Sequence, residues 1–158
     1  MEDVPLQLHG AYRSREILAA VQYFTAERRP AFRAGVLPLE DRRTELLFVT
    51  LDKSEGFHDR IAYHDYAVSP ERFHWQTQNS AGPHTKAGRR YLESATNGWT
   101  FQLFVRVRSA DPYRACGPVR ITSPDDVTAD RPMNITWTLT VPLPPKMFSE
   151  FSVLRGQG

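Results

Sequence analysis

Between Tyr63 and Gln78 the chain gathers side chains that an ordinary strand does not. Tyr63, His64, Asp65 and Tyr66 form one four-residue run, and Phe73, His74, Trp75, Gln76 and Gln78 follow as a second. Aromatic faces stack on nucleobases, while carboxylates and side-chain amides read base edges by hydrogen bonding. The chemistry these residues fit is recognition of a nucleobase. Tyr63, Asp65, Tyr66, His74, Trp75, Gln76 and Gln78 are its candidate binding residues. The competing reading is that any single Tyr or Trp in a strand is core or rim packing. Apolar packing, however, gives no role to the Asp, the His and the two Gln that stand among the rings.

The two-residue period of a strand sorts these positions into faces. Tyr63 and Asp65 share one face, and His64 and Tyr66 the other. On the next strand Phe73 and Trp75 share a face, with His74, Gln76 and Gln78 opposite. Which face is core does not follow from the alternation. Asp65, between two tyrosines, needs hydrogen-bond donors if it is half-buried. The exocyclic amino group of cytosine is one such donor; Arg60, His64 or a backbone amide are the alternatives within the protein.

Basic residues follow directly. From Arg72 to Leu92 the cations are Arg72, Lys86, Arg89 and Arg90, with no acidic residue among them. Ahead of the last three runs a polar loop from Asn79 to Thr85. This is the pattern of a phosphate-facing loop with a short helix start, against the reading of a solvated surface turn. Lys53 joins these four as a candidate phosphate contact, and Arg106 and Arg108, alternating with Val105 and Val107, offer a second basic edge.

Other chemistries find less support. His58, His64, His74 and His84 match no tight ligand spacing, so no metal site and no cofactor is expected. Ser80-Ala81-Gly82 lacks the context of a nucleophile elbow, there is no phosphate-cradling Gly-rich loop, and Cys116 has no paired His nearby in sequence. No catalysis is therefore expected of the chain. The 158 residues, 41% hydrophobic and 24% charged, suit one soluble globular domain spanning 1–158. A net charge of only +2, from 20 Lys+Arg against 18 Asp+Glu, means that a polyanion must be met by a local patch. A single cysteine, read as a small buried hydrophobe, suits the reducing cytoplasm. No apolar run reaches the length of a membrane span, and MEDVPLQLHG has neither the basic flank nor the apolar stretch of a secretion signal.

The elements that must hold these residues are one helix and many strands. Ser14 is the expected N-cap of a helix carrying Ile17, Leu18, Val21 and Phe24 at helical spacing until Arg28, Arg29 and Pro30 end it. Strands are expected over Glu45–Leu51, Arg60–Val68, Arg72–Gln78, Trp99–Arg108, Gly117–Thr122 and Met133–Val141. Ser69-Pro70-Glu71 turns the second into the third, making a hairpin of Ile61–Gln78. The Pro-rich VPLPPKMF reads as an extended closing segment. The fold class expected is α+β, a mixed or antiparallel sheet curled into a partial barrel behind an N-terminal helix.

Several stretches together carry a resemblance: VPLQLHGAY with REIL after it, GVLPLED, FVTLDKSE, YHDYAVSPERFHWQTQ, GRRYL, FQLFVRVR, GPV and RPMNITWTL. In these the chain resembles the DUF3427 family of domains, of unknown function, found at the C-terminus of bacterial SauUSI-type restriction proteins behind a phospholipase-D-like nuclease and a helicase. The resemblance implies a target-recognition module similar to SRA and PUA-like domains. Such modules flip a modified cytosine, 5-methylcytosine or its hydroxymethyl form, out of duplex DNA into a pocket that stacks it on aromatics and bonds its edge with a carboxylate. Tyr63, Asp65 and Trp75 have the chemistry for those roles. The partners then implied are double-stranded DNA with modified cytosine and the helicase and nuclease domains of a defence system. A docking domain that couples helicase to nuclease without reading bases is the alternative.

Overall fold

Two near-continuous apolar runs form the centre of the molecule. TELLFVT and TFQLFVR become β3 (Thr44–Thr50) and β6 (Thr100–Arg106), paired in parallel from Thr44 opposite Thr100 to Thr50 opposite Arg106. Parallel strands with both faces covered need such runs rather than alternation. In the computed structural model the described residues are 6–21, 35–51, 65–78, 81–128 and 132–152. Leu47, Val49, Leu103 and Val105 face a larger core, while Leu46, Phe48 and Phe104 meet a smaller one on the other side.

The remaining strands extend this pair into an open, mixed sheet. β2 (Val36–Leu39) lies antiparallel outside β3. On the other side follow β7 (Tyr113–Arg120), β9 (Asn134–Leu139), β5 (Arg72–Gln76) and β4 (Tyr66–Ser69), all antiparallel. Two short strands sit off this path: β1 (Ala11–Tyr12) pairs with β7, and β8 (Val127–Thr128) with β9. Cys116 is the extra residue of a bulge between β6 and β7, and Gly117 beside it takes φ 90°, a conformation open to glycine. Cys116 is buried as expected, and burial pushes its thiol up to about 12. The sheet ends on β2 and β4, which do not pair with each other.

Three helices close the two cores. α1 (Ser14–Ala20) buries Ile17 and Leu18 in the smaller core, with Val21 just beyond its end. Its N-cap is Arg13 rather than Ser14: Glu16 Oε1 accepts the Arg13 backbone N–H at 2.6 Å. The expected continuation through Phe24 to Pro30 lies outside the described residues. α2 (Lys86–Leu92) is capped by Thr85, whose Oγ1 accepts from Gly88 N–H at 3.0 Å. The closing segment is a correction: from Pro145 it is helix, α3 (Pro145–Phe151), not extended chain. Proline at a first helical position loses no hydrogen bond and has φ already set, and Met147 and Phe151, one turn apart, insert into the larger core. Among the described residues no helix is long and apolar enough to cross a membrane.

A buried charge fixes α2 to the sheet. Glu45 on β3 has no exposed surface, and its carboxylate accepts from Arg90 Nη1 at 2.7 Å and from Tyr91 Oη at 2.6 Å. Arg90 is only 8% exposed, and its guanidinium lies 4.4 Å over the Trp99 ring. Burial raises the Glu45 carboxyl above the usual range, against the opposing pull of Tyr91 and Arg90, and drives Tyr91 well above an ordinary phenol.

Removing the Glu45 carboxylate leaves a buried guanidinium without its counter-charge, so Glu45→Ala should lose about 3–5 kcal/mol in urea titration. The pH dependence has a definite sign. Because the folded carboxyl binds its proton more tightly than the unfolded one, its contribution is full below the ordinary carboxylate range and falls as pH rises through the raised value. The wild-type stability profile should therefore decline more between acid and neutral pH than that of Glu45→Gln. Packing of α2 is tested separately: a Cβ on Gly88 would lie 1.8 Å from the Gly82 carbonyl oxygen. Gly88→Ala should thus cost at least about 1–3 kcal/mol through overpacking, read as a lower urea midpoint.

Candidate nucleic-acid interface

The alternation of β5 resolves which of its faces is core. Phe73 and Trp75 point inward, and Thr77 beyond the strand end is buried with them. Trp75 is 4% exposed and packs edge-on against Tyr91 at 5.4 Å and tilted by 46° against Trp137 at 5.9 Å. The expectation of Trp75 as a stacking platform is corrected accordingly: both of its neighbours are core rings, and no open face remains for a base. Thr77 joins the strand to the following loop. Its N–H donates to Met133 O at 2.9 Å, while its Oγ1 accepts from Met133 N–H at 2.8 Å and donates to Ala81 O at 3.2 Å.

The outer face is where the polar candidates gather. Tyr66 on β4 is the register partner of His74 on β5, and their rings stack with centroids 5.1 Å apart and 22° between planes. His74 in turn lies opposite Thr136 on β9, and Gln76 opposite Asn134. Gln76 Nε2 donates to Asn134 Oδ1 at 3.3 Å. That bond uses a donor of one amide and an acceptor of the other, so the Gln76 carbonyl oxygen and the Asn134 NH2 are left without a partner among the described residues. Tyr66, His74, Gln76, Asn134 and Thr136 are all half-buried.

Asp65 has a partner within the protein. Its Oδ1 accepts the backbone N–H of Gln76 at 2.9 Å, tying the start of β4 to the end of β5. This is the backbone-amide alternative, and it makes Asp65 a support for Gln76. Gln78 lies past the end of β5 and is exposed. Tyr63 and Lys53 lie outside the described residues.

Among the described residues the basic set does not form a free patch. Arg90 is corrected from a phosphate contact to half of the buried Glu45 pair. Lys86 and Arg89 are exposed, but Lys86 Nζ meets Glu40 Oε2 at 2.9 Å and Arg89 Nε meets Glu93 Oε2 at 3.4 Å. Arg72 pairs with Asp126 at the edge of the outer face, where Thr122 Oγ1 also donates to Asp126. Of the polar loop, Ala81 and Gly82 are buried and the Thr85 hydroxyl caps α2. The stretch is free of acids in sequence, yet the fold and the residue just past Leu92 bring an acid to each of its cations.

Two sets of contributors lie outside residues 63–78. Asn134 and Thr136 complete the outer face from β9, and Glu45 anchors the helix behind it. The signal for the first is visible in NITWTL, where Asn134, Thr136 and Thr138 alternate with Ile135, Trp137 and Leu139. Glu45 had no such signal, since one acid before an apolar run reads equally well as an exposed strand start. Among the described residues no three His, Cys, Asp or Glu side chains gather to hold a metal.

Trp75→Ala should lower stability by about 3–5 kcal/mol, the cost of truncating a buried large aromatic. Thermal melting should show it as a strongly lowered midpoint, and a midpoint close to wild type would return Trp75 to the surface.

No curated protein matches the chain. A family profile described as a domain of unknown function, DUF3427, matches residues 6–151, from just before β1 to the last residue of α3. With a match over nearly its whole length, the chain belongs to the DUF3427 family.

Proposed function

We propose that this domain binds duplex DNA and reads a modified cytosine, 5-methylcytosine or 5-hydroxymethylcytosine, flipped onto the outer face of β4, β5 and β9. The observation that carries this reading is the juxtaposition of the stacked Tyr66–His74 pair with the Gln76–Asn134 amide pair on one half-buried face. A flat aromatic surface beside an acceptor and a donor that have no partner among the described residues suits a base presented by its plane and its edge. Flipping costs a few kcal/mol, and one stack of about 1–3 kcal/mol with a set of edge hydrogen bonds offsets about that amount. The domain has no catalysis of its own in this reading and serves as the target-recognition part of a SauUSI-type restriction system. A partial barrel of the SRA and PUA-like kind is supported by one core that draws on β3, β4, β5, β6, β7 and β9.

A second reading, a docking domain between helicase and nuclease, is favoured by the ion-paired state of the cations between Arg72 and Leu92. Gel shifts with unmodified, methylated and hydroxymethylated duplexes of one sequence separate the two. Base readout requires a preference for one modified duplex. Gln76→Ala and Asn134→Ala should each reduce that preference by about 1–3 kcal/mol while leaving salt-sensitive binding to unmodified DNA in place. Equal affinity of the wild type for all three duplexes sinks the proposal, and binding of none favours the docking domain.

A further inference from the structure

Away from the candidate face, arginines from two parts of the chain converge on the turn between β6 and β7. Arg13, at the start of α1, donates from Nη1 to Ala110 O at 2.7 Å, and Arg106, at the end of β6, donates from Nη1 to the adjacent Ser109 O at 2.9 Å. Arg106 is further held by Nε on Thr50 Oγ1 at 2.8 Å and lies 4.3 Å over the Tyr113 ring. Arg114, at the start of β7, is the register partner of Ala11 and donates from Nη1 to His9 O at 3.0 Å. Arg108 stands exposed within the same turn.

The partners of these guanidiniums set them apart from the cations of the 72–92 stretch. Each of those four ends on a carboxylate, whereas Arg13, Arg106, Arg108 and Arg114 form no ion pair among the described residues. The nearby acids are engaged by backbone amides: Glu16 accepts from Arg13 N–H and Asp111 from Arg108 N–H. Neutral carbonyls and a hydroxyl orient three of the guanidiniums without neutralising them. A guanidinium held by one or two of its donors keeps the others for a second acceptor and loses little freedom on binding it. The local field is felt by His9, whose pKa is lowered first by burial and then by Arg114.

We infer that Arg13, Arg106, Arg108 and Arg114 form the surface that takes the phosphate backbone of nucleic acid, in place of the ion-paired cluster around α2. Arg13 and Arg106 converge here from separate elements, Arg108 stands in the same turn and Arg114 lies at the start of the strand that follows, and fork-shaped donors suit phosphate oxygens. The inference rests on the DNA-binding reading above and adds where the backbone is held.

The test is fluorescence anisotropy of an unmodified duplex over a salt series. It compares wild type, an Arg13→Gln/Arg108→Gln/Arg114→Gln variant and a Lys86→Gln/Arg89→Gln variant. Arg106 is left in place because it packs on Tyr113. The triple variant should bind more weakly, with a log K against log salt slope shallower by about 0.9 for each phosphate that is no longer neutralised. It should also keep the wild-type ratio of modified to unmodified affinity, while the α2 variant keeps the wild-type slope. A triple variant that melts like wild type and retains its slope overturns the assignment and leaves DNA binding standing. A wild type that binds no duplex overturns the DNA reading, and this inference with it. Tighter binding of poly-glutamate than of DNA, abolished in the triple variant, overturns the phosphate assignment in favour of an acidic protein segment.

Discussion

The Glu45–Arg90 pair is the constraint around which the larger core is arranged. Desolvating two ions costs several kcal/mol each, and only close geometry with all remaining donors and acceptors engaged offsets it. That condition leaves little choice of position. Glu45 must face into the core from the first residues of β3, Arg90 must reach it from α2, Tyr91 must fill the second carboxylate oxygen, and Trp99 must cover the guanidinium face. Asn97 Nδ2 adds a bond to Arg90 O at 3.0 Å, closing the chain behind the helix. Once Tyr91 is placed, its ring sets the packing of Trp75 and Trp137, and through them the seating of β5 and β9. The face that carries the candidate site is therefore the reverse side of strands whose inner side is locked to a buried charge.

This two-sided use of β5 and β9 accounts for the division of labour between neighbours in sequence. In RFHWQ, Phe73 and Trp75 hold the strand while Arg72, His74 and Gln76 point outward. In NITWTL, Ile135, Trp137 and Leu139 hold the strand while Asn134, Thr136 and Thr138 point outward. Core packing fixes Cα positions within a dense, rotamer-limited environment, so the outer side chains inherit a rigid platform. The Asp65 bond to Gln76 N–H extends that rigidity to the residue before the first ladder position of β4.

Much of this was legible in sequence, and what was not has specific causes. The apolar runs of β3 and β6, the Ser69-Pro70-Glu71 turn and the helix bearing Ile17 and Leu18 follow from local pattern, and each is present. Alternation in β5 separates two faces but carries no sign, so Trp75, rich in both core and stacking chemistry, read equally well either way. The sign comes from Tyr91 and Trp137, distant in sequence. Charge counting failed for a related reason. A window is one-dimensional, whereas Glu40 and Glu45 reach Lys86 and Arg90 across the fold, and Glu93 reaches Arg89 one helical turn on. The helix at Pro145 was hidden by three prolines in a five-residue stretch; the last of them opens the helix instead of preventing it.

The groups on the candidate face differ in how well they match a cytosine edge. Cytosine offers a donor at its exocyclic amine beside an acceptor at its ring nitrogen. An ionised carboxylate has acceptors only and matches the first of these; to match both it must carry a proton. The Gln76–Asn134 pair has no such requirement, because the bond between the two amides leaves the Gln76 carbonyl and the Asn134 NH2 without a partner among the described residues, and neither group titrates in the ordinary pH range. In that readout Asp65 contributes through Oδ1, which accepts the Gln76 backbone N–H and fixes the strand that bears Gln76. In the proposed readout the division resembles that between Glu45 and the core: carboxylates lock the frame, and neutral groups face the ligand.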